Sequence, residues 1–209
     1  MPGVDSFDSN VNQYEQWFID HPFAYLSEVH AVKSLLPSGR GLEIGVGTGR
    51  FAAPLGIVTG VEPSRAMAAI ALRRGIEVVT AVAENLPFAD AEFDFALMVT
   101  TVCFLDDIDL AFREAGRVLK PGGAFVIGFV DRDSPLGRQY ETRKGKSAFY
   151  KDATFYATAE IVDHLAKAGF GSFAFSQTLF KPLDEMAEAE PVKDGCGQGS
   201  FVAVKGMKQ

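Results

Sequence analysis

Glycines and acids cluster in one short part of the chain, and their types and spacing suit the binding of a nucleoside. Residues 41–50 read GLEIGVGTGR, and a further acid, Glu62, follows in GVEPS at 60–64. Glycine lets the backbone approach a ligand closely, because it has no Cβ and tolerates positive φ. An acid at the tip of the next parallel strand can accept hydrogen bonds from ribose hydroxyls. The pattern therefore predicts a nucleoside-bearing cofactor at the carboxyl ends of a parallel sheet.

The spacing of the glycines distinguishes between kinds of cofactor. A dinucleotide site is typical of G-x-G-x-x-G, which opens a helix onto a pyrophosphate. Here Gly45, Gly47 and Gly49 are spaced one residue too tightly at the end of the run, and an acid, Glu43, precedes them. Both features argue against a nicotinamide-dependent oxidoreductase, an alternative that NADH binding would test.

The run from Glu43 to Gly49 resembles the first motif of class I S-adenosylmethionine-dependent methyltransferases. The resemblance continues in order along the chain. Further segments are similar to the third-strand loop, the fourth strand and the turn before the fifth strand of that family: AENLPF at 83–88, FDFAL at 93–97 and RVLKPGG at 117–123. On these motifs the chain is identified as a member of the broad type 11 group of these enzymes.

The resemblance implies which residues bind S-adenosylmethionine and its product, S-adenosylhomocysteine. Gly45 and Gly47 would pass under the methionyl and ribose portions, and Glu62 would bind the ribose. Glu43 would orient the glycine loop from below, or would only tie loop amides together as a buried acid. The remaining cofactor contacts that the resemblance implies are Pro63, Met67, Ala83, Glu84, Asn85 and Thr100.

One position departs from the family pattern. Many members carry an acid at the position of Val82, where it meets the exocyclic amine of adenine, and valine cannot do this. Adenine is then bound either by backbone amides around Ala83 or by Glu84. The departure concerns detailed contacts and leaves the class of enzyme unchanged.

Hydrophobic periodicity predicts the elements that must position these residues. Short apolar runs alternate with helical segments after residue 40, which is typical of βα units and a parallel sheet. We predict strands near 41–45, 57–61, 76–80, 93–99, 124–130, 172–180 and 200–205, and helices near 48–54, 64–74, 107–119 and 158–168. The resemblance implies a Rossmann-like α/β three-layer sandwich. Its seven-stranded, mostly parallel sheet would have the order 3-2-1-4-5-7-6, with helices on both faces and an N-terminal helical cap.

A length of 209 residues predicts a single domain. Its first ten residues are polar and are predicted to be loose, and Pro22 is predicted to divide the helical cap in two. The predicted parts of the domain, 1–209, are the cap at 1–36, a cofactor-binding core at 37–130, a substrate lid at 131–157, and a C-terminal helix with edge strands at 158–209.

The sequence does not identify the catalytic residues, and the chemistry of methyl transfer explains why. Methyl transfer from a sulfonium is an in-line displacement with an excellent leaving group, and alignment of the reactants alone can contribute about 7–11 kcal/mol. Such an enzyme therefore needs little chemistry from its own side chains. Asp131, at the end of the fifth strand, is a candidate general base or substrate anchor, and His21, in the cap, is a candidate general base. A turn-forming acid at the end of the strand is the alternative for Asp131.

Candidate acceptor contacts come from the cap, the end of the fourth strand and the lid. Aromatic rings in the cap could hold a cation through cation–π contact, or could simply pack. Six basic and two acidic residues give 132–151 a charge of +4 in a chain of −7. That excess favours a lid that attracts an anionic acceptor, and a solvated loop is the alternative. The candidate acceptor contacts are Tyr14, Tyr25, Thr101, Tyr140 and Arg143.

The composition argues against several other classes of function. The net charge of −7 argues against a nucleic-acid partner, and no apolar run approaches the roughly 18 residues that a membrane span needs. The chain begins MPGVD, without the features of a signal peptide, and two cysteines are too few for a disulfide framework. We therefore expect a cytoplasmic protein. The three histidines show no metal-binding spacing, so no metal is expected.

These observations predict an enzyme, an S-adenosylmethionine-dependent methyltransferase that moves a methyl group to a small-molecule acceptor by in-line displacement. The alternative is a regulatory protein that binds the cofactor without turnover, because the first motif and Glu62 bind and do not catalyse. Neither the identity of the acceptor nor the oligomeric state follows from the sequence.

Overall fold

An eight-stranded sheet, in the order β3-β2-β1-β4-β5-β8-β6-β7, forms the centre of a computed structural model that describes residues 4–209. Strands β1 to β5 pair in parallel, whereas β8, β6 and β7 pair antiparallel at one side. The strands are β1 Gly41–Ile44, β2 Thr59–Val61, β3 Glu77–Val79, β4 Phe93–Val99, β5 Leu119–Val130, β6 Phe170–Thr178, β7 Lys193–Asp194 and β8 Phe201–Lys208.

This sheet confirms the predicted fold class and corrects one detail of it. The seven predicted strands follow the predicted order, with the last long strand lying between β5 and β6. The eighth strand, β7, is two residues long and pairs outside β6 through Ser176 and Gln177. It lies in the 182–199 connection, where two exposed residues produce no periodic signal that could have predicted a strand.

Helices cover the sheet, and a proline or a capping side chain marks the start of α3, α5 and α6. Pro22 stands at the first turn of α3, so the cap divides where proline predicted. The Ser64 side chain caps α5 by accepting from the Met67 amide, and Asp107 caps α6 in the same way. The helices are α1 Val4–Ser9, α2 Val11–Asp20, α3 Pro22–Leu35, α4 Ala52–Leu55, α5 Arg65–Arg73, α6 Ile108–Val118, α7 Pro135–Arg143 and α8 Thr158–Lys167.

Three helices differ from the sequence prediction. The N-terminal segment, expected to be loose, forms α1, while residues 1–3 of the predicted cap lie outside the described residues. The lid segment forms α7, whose start is capped by Ser134. Helix α4 is shorter than the predicted 48–54. Gly47 and Gly49 adopt positive φ, and this keeps the residues between β1 and α4 in a loop.

Two apolar clusters hold the layers together, one on each face of the sheet. Side chains alternate along β5, so that Phe125 faces α6 and α8 while Val126 faces α3. Phe112 of α6 packs edge-to-face on Phe125 with ring centroids 5.4 Å apart. The packing fixes the parallel strands with their carboxyl ends at one edge, from which the glycine loop and the Glu62 turn emerge.

No helix within residues 4–209 is long and apolar enough to cross a membrane. The two cysteines are both free thiols. Cys103 is buried, and this burial raises the pKa of its thiol to about 12, so it behaves as a small apolar residue. Cys196 is exposed.

Candidate functional site

The loop after β1 can be built only with glycine at its first position. Gly45 has a φ of +73°, and a Cβ placed on it would lie 2.3 Å from Cγ2 of Thr101. The amides of Gly45 and Val46 both donate to the Val61 carbonyl at 2.9 Å, which joins the loop to the end of β2. The loop is therefore pressed onto the neighbouring strand ends, and its backbone forms the floor of a cavity.

Glu62 connects this loop to the start of α5. Its Oε2 accepts from the Gly47 amide at 2.9 Å, and its Oε1 accepts from the Ser64 amide at 2.8 Å. Burial raises the pKa of Glu62 to about 6, although the two backbone hydrogen bonds oppose that rise. Each oxygen keeps a second lone pair, so the carboxylate can still accept hydrogen bonds from a ligand in the cavity.

The structure brings seven of the ten predicted cofactor residues together around this cavity. They come from the glycine loop, the end of β2, the first turn of α5, the loop after β3 and the end of β4. They are Gly45, Gly47, Glu62, Pro63, Met67, Ala83 and Thr100. The cavity thus lies across the carboxyl ends of the parallel strands, where open α/β sheets bind ligands.

The three other predicted cofactor residues lie outside the cavity. Glu43 is 1% exposed beneath the glycine loop, and burial raises its pKa well above the usual range despite a hydrogen bond from the Ala52 amide. Its Oε2 has no partner among residues 4–209. Glu84 accepts from the amides of Asp106 and Asp107 at 2.9 and 3.3 Å and so fixes the start of α6. Asn85 is exposed beside it.

Helix α1 covers the cavity with residues that the sequence did not indicate. Phe7 lines the cavity and packs edge-to-face on Phe104, with ring centroids 5.0 Å apart. The helix is held in place by Asp8, which accepts from the Ser64 hydroxyl at 2.6 Å and from the Ala66 amide at 3.1 Å. A phenylalanine within a short polar segment was the one available signal, and it is too weak to predict a helix.

Glu15 is a second residue that the sequence did not indicate. It accepts from the Thr48 hydroxyl at 2.6 Å and from the guanidinium groups of Arg50 and Arg74, both at 2.6 Å. Burial acts to raise its pKa, but these hydrogen bonds outweigh burial and lower the pKa to about 2. The carboxylate therefore stays ionised and ties α2 to the glycine loop and to the end of α5.

Thr100 lies between this cavity and a second one. It is a β-branched residue with a φ of +51°, a conformation that costs on the order of 1–3 kcal/mol and is concentrated at functional sites. Its neighbour Thr101 turns its hydroxyl toward the carbonyls of Gly45 and Val99, at 3.2 and 3.1 Å. Thr101, predicted to contact the acceptor, thus lines the first cavity instead.

The second cavity has a volume of about 450 Å³ and adjoins the first. The two cavities share Phe7, Tyr14, Thr100 and Phe104. Half of the residues that line the second cavity are aromatic, and they come from the cap, the segment before α4, the loop after β4 and the lid. Three of the five predicted acceptor residues line this cavity: Tyr14, Tyr140 and Arg143.

The remaining predicted residues are engaged elsewhere. The Tyr25 hydroxyl donates to the Arg50 carbonyl at 2.5 Å, so it fixes the end of the glycine loop. His21 lies between α2 and α3 with its ring 5.3 Å from that of Trp17. Asp131 accepts from the Asp133 amide and from both the amide and the hydroxyl of Thr158, at 2.8, 3.2 and 2.5 Å. The contacts of Asp131 favour the turn-forming alternative for this residue.

Within residues 4–209, no group of three or more histidine, cysteine, aspartate or glutamate side chains is arranged to hold a metal ion. The charged groups that line the second cavity are Glu28 and Asp20 from the cap, and Arg143 and Lys144 from the lid. Glu28 lies on α3 and is buried, whereas Asp20 and Arg143 are exposed at the opening.

Comparison with known proteins agrees with this geometry. The family model described as "methyltransferase domain" matches residues 42–127, which contain the glycine loop, Glu62 and Thr100. A crystal structure from Thermotoga maritima, described as a SAM-dependent methyltransferase and possible histamine N-methyltransferase, is 58% identical. It superposes with a TM-score of 0.97 over 98% of this chain and 99% of its own.

Two curated relatives extend the comparison. An uncharacterized protein from Methanocaldococcus jannaschii is 48% identical over 98% of this chain and 100% of its own length. A malonyl-[acyl-carrier protein] O-methyltransferase from Geobacter sulfurreducens is 32% identical over 79% of this chain and 69% of its own. The chain belongs to the class I S-adenosylmethionine-dependent methyltransferases of the type 11 group, and S-adenosylmethionine is its cofactor.

The raised pKa of Glu62 predicts a pH dependence of cofactor binding. Only the ionised carboxylate offers both oxygens as acceptors, so affinity for S-adenosylmethionine should fall as pH drops through about 6, by up to about tenfold per pH unit. The folding stability of the free protein should change in the opposite direction and rise as pH drops. The pKa is raised from 4.5, so this group's contribution to folding stability is full below 4.5 and is lost as pH rises through about 6.

Calorimetric titrations with S-adenosylmethionine between about pH 5 and pH 7 would measure this dependence, below the range in which the amino group of the cofactor titrates. The Glu62→Gln variant is the control, since its residual binding should lack this pH dependence. An affinity of the unmodified protein that stays constant through pH 6 would contradict the prediction.

Proposed function

We propose that the chain transfers the methyl group of S-adenosylmethionine to a small-molecule acceptor by in-line displacement. One observation carries the proposal: a 450 Å³ cavity adjoins the cofactor cavity at Tyr14 and Thr100. A volume of this order suits a small molecule. An acceptor in this cavity would approach the methyl group from the side opposite the departing sulfur.

The proposed roles of the cofactor residues follow from the walls of the first cavity. Glu62 accepts from the ribose hydroxyls, Gly45 and Gly47 let the methionyl portion lie against the backbone, and Met67 packs on adenine. Backbone groups around Ala83 bind the adenine edge, because Glu84 is engaged with the start of α6. Thr100 holds the strained turn that separates cofactor from acceptor.

The proposed domain organisation assigns the acceptor side to the cap and the lid. We propose one domain, in which the cap at 1–36 and the lid at 131–157 close over the core at 37–130. The stacking of Tyr150 between Phe104 and Tyr140, with centroids 5.8 and 5.3 Å away, supports a closed arrangement that keeps water from the reactants. The two free thiols support a reducing compartment such as the cytoplasm.

An acceptor screen tests the proposal. Purified protein with S-adenosylmethionine is incubated with a panel of small amines, phenols, thiols and carboxylates, and S-adenosylhomocysteine is quantified. The panel includes histamine, because the description of the Thermotoga structure names it as a possible substrate. We expect turnover with at least one class of acceptor, and none in the Glu62→Ala variant. Tight cofactor binding without turnover of any acceptor would favour a regulatory protein that binds the cofactor.

A further inference from the structure

We infer that the acceptor carries a basic amine, and that the carboxylate of Glu28 binds this amine inside the aromatic cavity. The inference rests on the proposed methyl transfer and adds the chemical class of the acceptor. It concerns the group that anchors the acceptor and leaves the methylated atom unassigned.

Glu28 differs from the other buried acids in what surrounds its carboxylate. It is 4% exposed and lines the second cavity. Within residues 4–209 nothing donates a hydrogen bond to it, whereas every other buried acid accepts at least one from a backbone amide. Those acids are Glu43, Glu62, Asp131 and Glu190. The four engaged acids have evident structural roles, and Glu28 is left with its oxygens available to a ligand.

A buried carboxyl without a hydrogen-bond partner is unfavourable in this position unless a ligand supplies a donor. Burial alone raises the pKa of Glu28 to about 8, so the group is largely protonated in the empty cavity at neutral pH. A bound amine can take up that proton and become an ammonium beside a carboxylate. The pair then satisfies both buried groups with charge-assisted hydrogen bonds, which are stronger than neutral ones.

The walls around Glu28 suit an organic cation. Burial raises the pKa values of Tyr14, Tyr140 and Tyr150, and the carboxylate of Glu28, when ionised, adds to each rise, which indicates that it acts on all three rings. Trp17 lines the same cavity and hydrogen bonds with Tyr140. Aromatic faces attract a cation by about 0.5–2 kcal/mol each, depending on how far it is desolvated. The apolar body of the acceptor would lie against the same rings.

The two basic lid residues that line the cavity, Arg143 and Lys144, are not buried. Lys144 is paired with Glu141 at 2.8 Å, and Arg143 is exposed. Elsewhere in the lid, Arg132 is paired with Glu160 at 2.9 Å. The excess of basic residues in the lid thus acts mainly at the surface, while the buried ionisable group at the cavity wall is an acid, Glu28. An anionic acceptor, which the charge of the lid segment favoured, is the competing outcome of the test below.

The test compares ligands that differ in one functional group. Tryptamine, tryptophol and indole-3-propionate form one matched set, and 2-phenylethylamine, 2-phenylethanol and 3-phenylpropionate form another. Each is titrated calorimetrically into the protein saturated with S-adenosylhomocysteine. We expect at least one amine to bind about tenfold or more tightly than its alcohol and its carboxylate. The inference is overturned if neither amine is preferred, or if a carboxylate binds best.

Variants of Glu28 test whether this residue causes the preference for the amine. In Glu28→Gln the preference for the amine should disappear, while affinity for S-adenosylhomocysteine stays within about twofold, because Glu28 lies outside the cofactor cavity. The matched control is Asp20→Asn, because Asp20 is an acid that is exposed at the opening of the same cavity. This variant should retain the preference for the amine. Glu28→Asp keeps the charge and should retain part of it. A preference that survives in Glu28→Gln would refute the assignment.

Failure of this inference and failure of the proposed function give different results. Amine binding that depends on Glu28, without formation of S-adenosylhomocysteine from any acceptor, would contradict methyl transfer and leave the amine site standing. Turnover of an acceptor that lacks a basic nitrogen, at a rate unchanged in Glu28→Gln, would contradict the amine inference and leave methyl transfer standing. Thermal unfolding of each variant shows that the compared proteins are folded.

Discussion

Replacing Glu62 with glutamine is expected to weaken S-adenosylmethionine binding by about 100-fold or more. The carboxylate accepts from the Gly47 amide on one oxygen and from the Ser64 amide on the other. Glutamine keeps the shape but has one oxygen, so its NH₂ group must face one of these two N–H donors. The variant loses a loop contact as well as one acceptor for the ribose. Each hydrogen bond to a charged group contributes about 1.5–3 kcal/mol, so two such losses account for an effect of this size.

Glu84→Gln is the matched control for this experiment. Glu84 was also predicted from the sequence to bind the cofactor, but it accepts from the amides of Asp106 and Asp107 outside the cavity. Its replacement should change cofactor affinity by less than about threefold and should affect mainly stability, through the weakened start of α6. Calorimetric titration of both variants gives the comparison. Equal losses of affinity would mean that Glu84 reaches the adenine, and the arrangement described above would then be wrong.

The backbone of the proposed cofactor site was predictable from the sequence because local rules govern it. The glycine run requires positive φ at Gly45 and Gly47, and the apolar runs on either side are too short for anything but strands. Parallel βα units then bring the ends of successive strands to one edge. The position of Glu62 follows from that topology alone.

Side chains whose roles depend on distant partners were not predictable in this way. Asp131 ends β5 as expected, but Thr158, 27 residues further on, donates both its amide and its hydroxyl to the carboxylate. Tyr25 reaches the Arg50 carbonyl across 25 residues. A sequence pattern can place each residue at the correct end of its element, whereas the direction of the side chain is decided by contacts that only the folded chain supplies.

Glu28 was missed although the sequence held a signal for it. Ala24, Glu28 and Val32 follow one another at a spacing of four and are all buried, so they share one face of α3. A single acid on the apolar face of a helix is unusual, because an unpaired buried carboxylate is costly. Periodicity could therefore have indicated a buried acid here. It could not have indicated the cavity, which forms only when the lid packs against the cap.

Replacing Gly45 with alanine is expected to destabilise the protein by about 2–5 kcal/mol and to abolish cofactor binding. Two costs add. Alanine at a φ of +73° is disfavoured by roughly 1–2 kcal/mol, and its Cβ would lie 2.3 Å from Cγ2 of Thr101, an overlap that typically costs about 1–3 kcal/mol. Urea denaturation measures the change in stability, and calorimetric titration with S-adenosylmethionine measures the loss of binding.

Gly56→Ala separates these two costs. Gly56 has a φ of +74°, nearly the same as that of Gly45, but a Cβ placed there would meet nothing within 4 Å. Its replacement should therefore show the conformational cost alone, with cofactor affinity unchanged. The difference between the two variants measures the overlap with Thr101, and adding Thr101→Ser to Gly45→Ala should recover part of it by removing Cγ2. If both glycines cost the same and the double variant recovers nothing, backbone conformation alone explains why glycine stands at the start of the loop.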